Sequence, residues 1–183
     1  MLYTGKGDDG TTKTFGCDQR ISKSSGLAEA LGSMDEINSF LGICKTKSAE
    51  KNLKFGDKEI SEIVHNIQQT LFIIQAELAG SDKKVTEEKV IELETLINDI
   101  EKILPPIKTF FISGGTELAA TFDVARTIAR RAERRVVQVA EEGVRPVGPN
   151  TKKYMNRLSS ILYALARLMN HLSGINEEPP SYK

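Results

Sequence analysis

The sequence predicts an all-α fold, a five-helix bundle preceded by a glycine-rich N-terminal loop. Five successive segments place apolar residues at helical spacing. Proline and glycine clusters separate several of them. No stretch alternates apolar and polar residues convincingly enough to mark a strand. A length of 183 residues fits one domain with a single core, divided into a loop over 1–24, a helical bundle over 25–174 and a polar tail over 175–183.

The opening "YTGKGDDGTTK", Tyr3 to Lys13, holds almost nothing apolar and cannot build a core. Leu27 to Cys44 is the first helix, with Leu27, Leu31, Met34, Ile37, Leu41 and Cys44 on one face. Lys58 to Leu78 is the second, with Ile60, Ile63, Ile67, Leu71, Ile74 and Leu78. Thr86 to Leu104 is the third, with Thr86 as N-cap and Pro105-Pro106 as the stop. "FFISGGT", Phe110 to Thr116, is a loop, and a long helix follows from Glu117 to Glu142 with Gly143 past its end. "RPVGPN" breaks the chain before a last helix from Lys152 to Ser173, and "NEEPPSYK" is the tail.

Composition excludes several classes. Lysine plus arginine and aspartate plus glutamate each number 25, so no global field draws the chain to nucleic acid or to a membrane. Cys17 and Cys44 form no spaced metal or redox motif, which fits a reduced setting. With no bilayer-length apolar run and no signal-peptide core, a cytoplasmic location is expected.

The chemistry concentrates in "RTIARRAERR", Arg126 to Arg135. At about 100° per residue, Phe122, Ala125, Ala129, Ala132 and Val136 share the core stripe, and Arg126, Arg130 and Arg134 form a row beside it. Glu133 projects near that border, whereas Arg131 and Arg135 point further round. Two readings stand: a solvated basic face carrying surface ion pairs, or a clamp for a polyphosphate. On the last helix Leu158, Leu162, Leu165, Met169 and Leu172 form the apolar stripe. Asn156, Ser160, Tyr163, Arg167 and Asn170 line up opposite and read as solvent-facing surface, except that Asn156 lies in the first turn, within reach of a ligand. Asp35 and Glu36 on the first helix fit a wet surface, an arginine partner or a metal. In the opening loop Gly5, Gly7 and Gly10 permit close backbone approach, Thr4, Thr11 and Thr12 offer hydroxyls, and Lys6 and Lys13 offer charge. That suits a phosphate cradle, and equally a frayed start; it is not a Walker A motif. His65 and His171 lack companion ligand spacing and read as structural, and no Ser/His/Asp or Cys/His arrangement can be argued.

Four pieces taken in order, "YTGKGDDGTT", "GSMDEINSFLG", "RTIARRAERR" and "YMNRLSSILYALAR", resemble the PduO-type ATP:cob(I)alamin adenosyltransferases. The resemblance spans nearly the whole chain, and "RRAER" followed by "NRLS" is its most distinctive part. It implies a five-helix bundle assembled as a homotrimer. ATP would bind between subunits beneath the N-terminal loop of one chain. Co(I) of reduced cobalamin would attack the ribose 5′-carbon, releasing triphosphate and giving adenosylcobalamin, with Mg2+ carried by the nucleotide and no metal ligand set assigned to the protein. Matched by position, Thr4, Gly5, Lys6, Gly7, Asp8, Asp9, Gly10, Thr11, Thr12, Lys23, Arg130, Glu133, Arg134 and Asn156 would contact ATP. Arg126 would pair with Asp35 of a neighbouring subunit, completing with Arg130 the set central to catalysis, and Phe110 would face the lower side of the corrin. The family commonly reads Thr-Lys-x-Gly-Asp in the loop; Thr4-Gly5-Lys6-Gly7-Asp8 places the lysine one position later. Implied partners are a flavin- or flavoprotein-type reductase and a downstream adenosylcobalamin-dependent enzyme, with no nucleic acid and no membrane. The alternative is a non-catalytic helical module that binds nucleotide or phosphate.

Overall fold

The computed structural model describes residues 2–14 and 19–182, so Cys17 lies outside the described residues. Five helices are present: α1 Gly26–Glu50, α2 Ile60–Ala79, α3 Glu87–Ile103, α4 Glu117–Glu141 and α5 Pro149–Leu172. Their ends follow local chemistry. Ser25 accepts the Ala28 N–H at 3.3 Å and starts α1, and Thr116 accepts the Ala119 N–H at 3.1 Å and starts α4. Thr86 stands at the N-cap of α3 in extended conformation, but its side chain makes no capping bond. α5 begins earlier than its apolar stripe indicates, because Pro149 supplies a preset φ at the first turn behind Gly148.

Two short hairpins correct the strand-free expectation. β1 Thr11–Lys13 pairs antiparallel with β2 Arg20–Ser22, and β3 Lys54–Phe55 with β4 Lys58–Glu59. The second hairpin removes Lys58 and Glu59 from the start of the second helix. Gly56 in its turn has φ 58°, a left-handed backbone that glycine adopts freely. Strands of two or three residues are too short for alternation to show.

α4 packs between α1 and α5; α1 also covers α2, and α5 also covers α3. Ala125, Ala129 and Ala132 of α4 are fully buried, and small side chains there let the helices approach closely. Met34, Ile37 and Leu41 of α1, Phe122 of α4 and Leu158 of α5 fill the centre. Leu172, expected on the stripe of the last helix, is 47% exposed at its final residue. α1 and α4 run antiparallel: Lys47 meets Glu117 at one end, Arg131 meets Glu36 midway, and Arg135 lies 3.6 Å from Glu29 at the other. The start of α5 is pinned from α2 by Glu77, whose buried carboxylate accepts the Gly148 N–H at 2.8 Å, the Thr151 hydroxyl and the Lys84 ammonium at 3.0 Å. Among the described residues no helix is long and apolar enough to cross a membrane.

Candidate active site

The basic run of α4 divides according to what faces it. Arg131 and Arg135 are tied to acids of α1, as the surface-ion-pair reading requires. Arg126 is held by Asp123 one turn earlier, Nε to Oδ1 3.1 Å, and its guanidinium stands 5.7 Å from the centre of the Tyr163 ring. Among the described residues Arg130 and Arg134 take no carboxylate partner; Arg134 instead donates to the Arg130 carbonyl at 3.1 Å. Two adjacent unpaired guanidiniums repel each other until an anion neutralises them.

Arg130 borders two concavities. The larger, about 780 Å³, lies between α4, α5 and the loop after α3, with Phe110, Phe111, Asp123, Arg126, Tyr163 and Arg167 among its walls. The smaller, about 330 Å³, is lined by Arg130, Glu133, Arg134 and Asn156 with Gln138 and Glu141. Arg130, Glu133, Arg134 and Asn156, the residues of these helices that the resemblance groups together, therefore line one pocket, and Asn156 Nδ2 donates to Glu133 Oε1 at 3.0 Å.

The polar line of α5 is not a solvent-facing surface throughout. Arg167 is 4% and Asn170 7% exposed. Arg167 donates to the Glu177 carboxylate at 2.7–3.0 Å and to the Pro105 carbonyl at 2.9 Å, and its guanidinium lies 5.3 Å from the centre of the Phe111 ring. It joins the tail to the loop after α3, and a bond from the Ile112 N–H to the Glu178 carbonyl at 2.8 Å continues that seam. Asn170 accepts the Thr116 N–H at 3.0 Å and donates to the Gly114 carbonyl at 2.9 Å. A Cβ on Gly115, where φ is +92°, would stand 2.3 Å from Asn170 Oδ1, so only glycine fits. With Phe111 partly buried, Phe110 is left 79% exposed at the cavity mouth. Burial raises the Tyr163 phenol above its ordinary value.

The N-terminal loop is a built structure. Gly5 and Gly10 have φ of 65° and 78°, and turns close from the Asp8 N–H to the Gly5 carbonyl and from the Gly10 N–H to the Gly7 carbonyl, both 3.2 Å. Lys23 Nζ donates to the Gly7 carbonyl at 2.8 Å. Asp9 accepts both the N–H and the hydroxyl of Thr11, at 2.9 and 2.7 Å, and these bonds hold its carboxyl below the usual range. The organiser is Arg20, which donates to the Thr11 hydroxyl at 2.5 Å, the Thr11 carbonyl at 3.0 Å and the Lys6 carbonyl. Neither pocket of one chain is lined by any residue from Thr4 to Thr12. Asp35 is exposed, takes no ion pair from the described residues of its own chain, and does not meet Arg126 within it.

Arg20 and Asp123 were not singled out by the sequence, and Arg167 and Asn170 were read only as part of a solvent-facing line. Asp123 carried a signal, the spacing of three residues to Arg126 on one helix. The partners of Arg20, Arg167 and Asn170 lie in other segments of the chain, beyond any local pattern. Among the described residues no group of three or more His, Cys, Asp or Glu side chains is placed to hold a cation.

The cobalamin adenosyltransferase family model matches residues 2–169. The chain belongs to this family. The corrinoid adenosyltransferase PduO of Citrobacter freundii is 39% identical over 178 residues, 93% of this chain and 50% of that protein. The corrinoid adenosyltransferase of Bacillus subtilis (strain 168) is 38% identical over 180 residues, 96% of this chain and 90% of that protein. The chain spans about half the length of the PduO relatives it matches. Among solved structures, a phenylalanine-substituted variant of the PduO-type ATP:corrinoid adenosyltransferase from Lactobacillus reuteri, complexed with cobalamin and ATP, superposes with a TM-score of 0.86 at 32% identity, covering 98% of this chain and 99% of that one. An arginine-to-lysine variant of the same enzyme complexed with ATP gives 0.85 at 32% identity, covering 98% of this chain and 100% of that one. The five-helix architecture of this family member is thus the one its sequence predicts.

Proposed function

We propose that this adenosyltransferase-family chain moves the 5′-deoxyadenosyl group of ATP onto the cobalt of a reduced corrinoid, with cob(I)alamin as the substrate read from the resemblance. The carrying observation is the unpaired Arg130–Arg134 pair at the junction of a small polar pocket and a larger cavity bearing exposed Phe110. The polar pocket suits a triphosphate, and the larger cavity suits a flat apolar macrocycle.

In the reaction the cobalt–carbon bond forms with the electron pair of Co(I), and the bond from the 5′-carbon to the triphosphate oxygen breaks, that oxygen keeping its pair. Such a displacement needs little proton transfer. It needs alignment of the 5′-carbon and stabilisation of charge growing on the leaving group. Arg130 and Arg134 supply fixed positive charge, Glu133 and Asn156 orient the nucleotide, and Phe110 covers the lower side of the corrin. Mg2+ would come with the ATP phosphates.

A second copy completes the site in this reading. The loop Thr4–Thr12 with Lys23 is folded yet lines neither pocket of its own chain, which supports its covering the nucleotide of a neighbour. Unpaired Asp35 is then available to Arg126 across a homotrimer boundary. A flavin- or flavoprotein-type reductase would supply the electron that makes Co(I), and an adenosylcobalamin-dependent enzyme in the cytoplasm would consume the product.

The test mixes protein, ATP, Mg2+ and chemically reduced cobalamin. The expected outcome is the adenosylcobalamin spectrum with one triphosphate per turnover. ATP binding without either product would leave the non-catalytic nucleotide-binding module as the reading.

A further inference from the structure

Asn156 is one of two carboxamides in the wall of the small pocket, with Gln138. A carboxamide presents an accepting oxygen at one end and a donating nitrogen at the other, and its flip exchanges them. Here both ends are assigned by neighbours that can play only one role. Arg157 is purely a donor, and its Nη1 lies 2.6 Å from Asn156, so the atom facing it is Oδ1. The Glu133 carboxylate is purely an acceptor, and its Oε1 lies 3.0 Å away, so the atom facing it is Nδ2. Arg157 is itself held from α3, its Nε donating to Glu94 Oε1 at 2.8 Å.

The chain Glu94–Arg157–Asn156–Glu133 thus crosses three helices and ends in the pocket wall. With one Nδ2 hydrogen given to Glu133, the second Nδ2 hydrogen remains to be donated, while the lone pair left on Oδ1 lies beside the Arg157 guanidinium. We infer that Arg157, braced by Glu94, is a positioning residue that locks the Asn156 amide as a hydrogen-bond donor toward an acceptor atom of the nucleotide. The inference rests on the proposed function for the identity of the ligand as ATP.

Arg157 acts only through Asn156 in this scheme, so a double-mutant cycle reads it directly. Mg-ATP binding is measured by calorimetry on the wild-type protein, Arg157→Met, Asn156→Ala and the double variant, with KM and kcat from the cobalamin assay. Loss of a charge-assisted bond should weaken ATP binding by about tenfold in Arg157→Met, with KM rising more than kcat falls. Added to Asn156→Ala, Arg157→Met should weaken binding no further. Glu94→Gln, which keeps an acceptor for Arg157, should bind closer to wild type than Glu94→Ala, and this pair serves should Arg157→Met fold poorly. Binding by Arg157→Met equal to wild type, or an undiminished effect in the Asn156→Ala background, overturns the positioning role alone. A wild-type protein that binds no ATP overturns the proposed function and this inference with it.

Discussion

Arg130 stands at the only place where both pockets share a wall residue among those described, and it has no carboxylate of its own. Its guanidinium is available to a developing negative charge without breaking an internal pair. Arg130→Ala should reduce turnover by about two to three orders of magnitude, the usual loss when one charge-stabilising donor is removed. Being exposed, it should leave the melting curve in place. Arg131→Ala removes a pairing with Glu36 of α1 and should cost far less activity. Steady-state rates and melting curves of the two variants check this ranking. Phe110 is exposed while Phe111 packs beneath Arg167, so Phe110→Ala should spare the fold. It should impair the reaction begun from Co(II) more than the reaction supplied with Co(I), because removing a lower axial ligand eases reduction whereas alkyl transfer needs ATP placement. Equal losses in both regimes would assign Phe110 to binding surface alone. Burial pushes the Cys44 thiol up to about 12 from a usual value near 9. Folding therefore retains a proton there that the unfolded chain releases, and stability contributed by this group falls as pH rises through that interval. Peptide-level alkylation at pH 8 should find Cys44 unmodified in the native protein and modified in denaturant.

At the scale of elements, the entry of α5 into the bundle decides where Asn156 sits. Glu77 holds that entry, and the contact spans α2 to α5. Glu77→Ala would leave the Gly148 N–H and the buried Thr151 hydroxyl without an acceptor, at about 1–3 kcal/mol each. For a chain of this size each kcal/mol lowers Tm by about 2–4 °C. Thermal melts should show a several-degree loss for Glu77→Ala and a smaller one for Glu77→Gln, which keeps one accepting oxygen. A Tm unchanged in both would mean the helix start is held by Pro149 alone. The hairpin β1–β2 plays the same part for the N-terminal loop, since it pairs Arg20 with Lys13 and leaves the Arg20 guanidinium bonded to Thr11 and the Lys6 carbonyl.

At the scale of the whole molecule, one chain presents its proposed site in two separated parts. No residue of the loop Thr4–Thr12 lines either α4–α5 pocket of its own chain. Ile43 of α1 and Val124 of α4 are about half exposed, at 45% and 46%, on helices that also carry Asp35 and Arg126. Sedimentation should give three times the 20.2 kDa of one chain. A monomer at working concentration would sink the shared site. Arg126 has an alternative partner in Asp123, so reversing the Asp35–Arg126 charges alone would set two aspartates against each other on α4. The reversed pair should regain part of the lost activity only when Asp123→Asn is added. Either single change should weaken assembly by less than the about 3–5 kcal/mol of a fully buried pair, because Arg126 keeps 26% side-chain exposure.

The five helices and the row of Arg130 and Arg134 with Glu133 at its border were legible in the sequence because burial imposes a 3.6-residue period, and that period fixes which neighbours share a border. Asn156, on another helix, joined them through the family resemblance alone. The family was legible too, through residues the site uses together. The hairpins were not, since a strand of two or three residues leaves no period to read. Nor could the pattern tell that Arg131 meets Glu36 while Arg130 takes no carboxylate among the described residues, because helical phase gives a direction and only the antiparallel neighbour gives a partner. Arg167 shows the limit most plainly. Its position on a polar line suggested solvent, yet it is buried, because Glu177 and the Pro105 carbonyl, distant in sequence, together satisfy a charge that could not otherwise leave water.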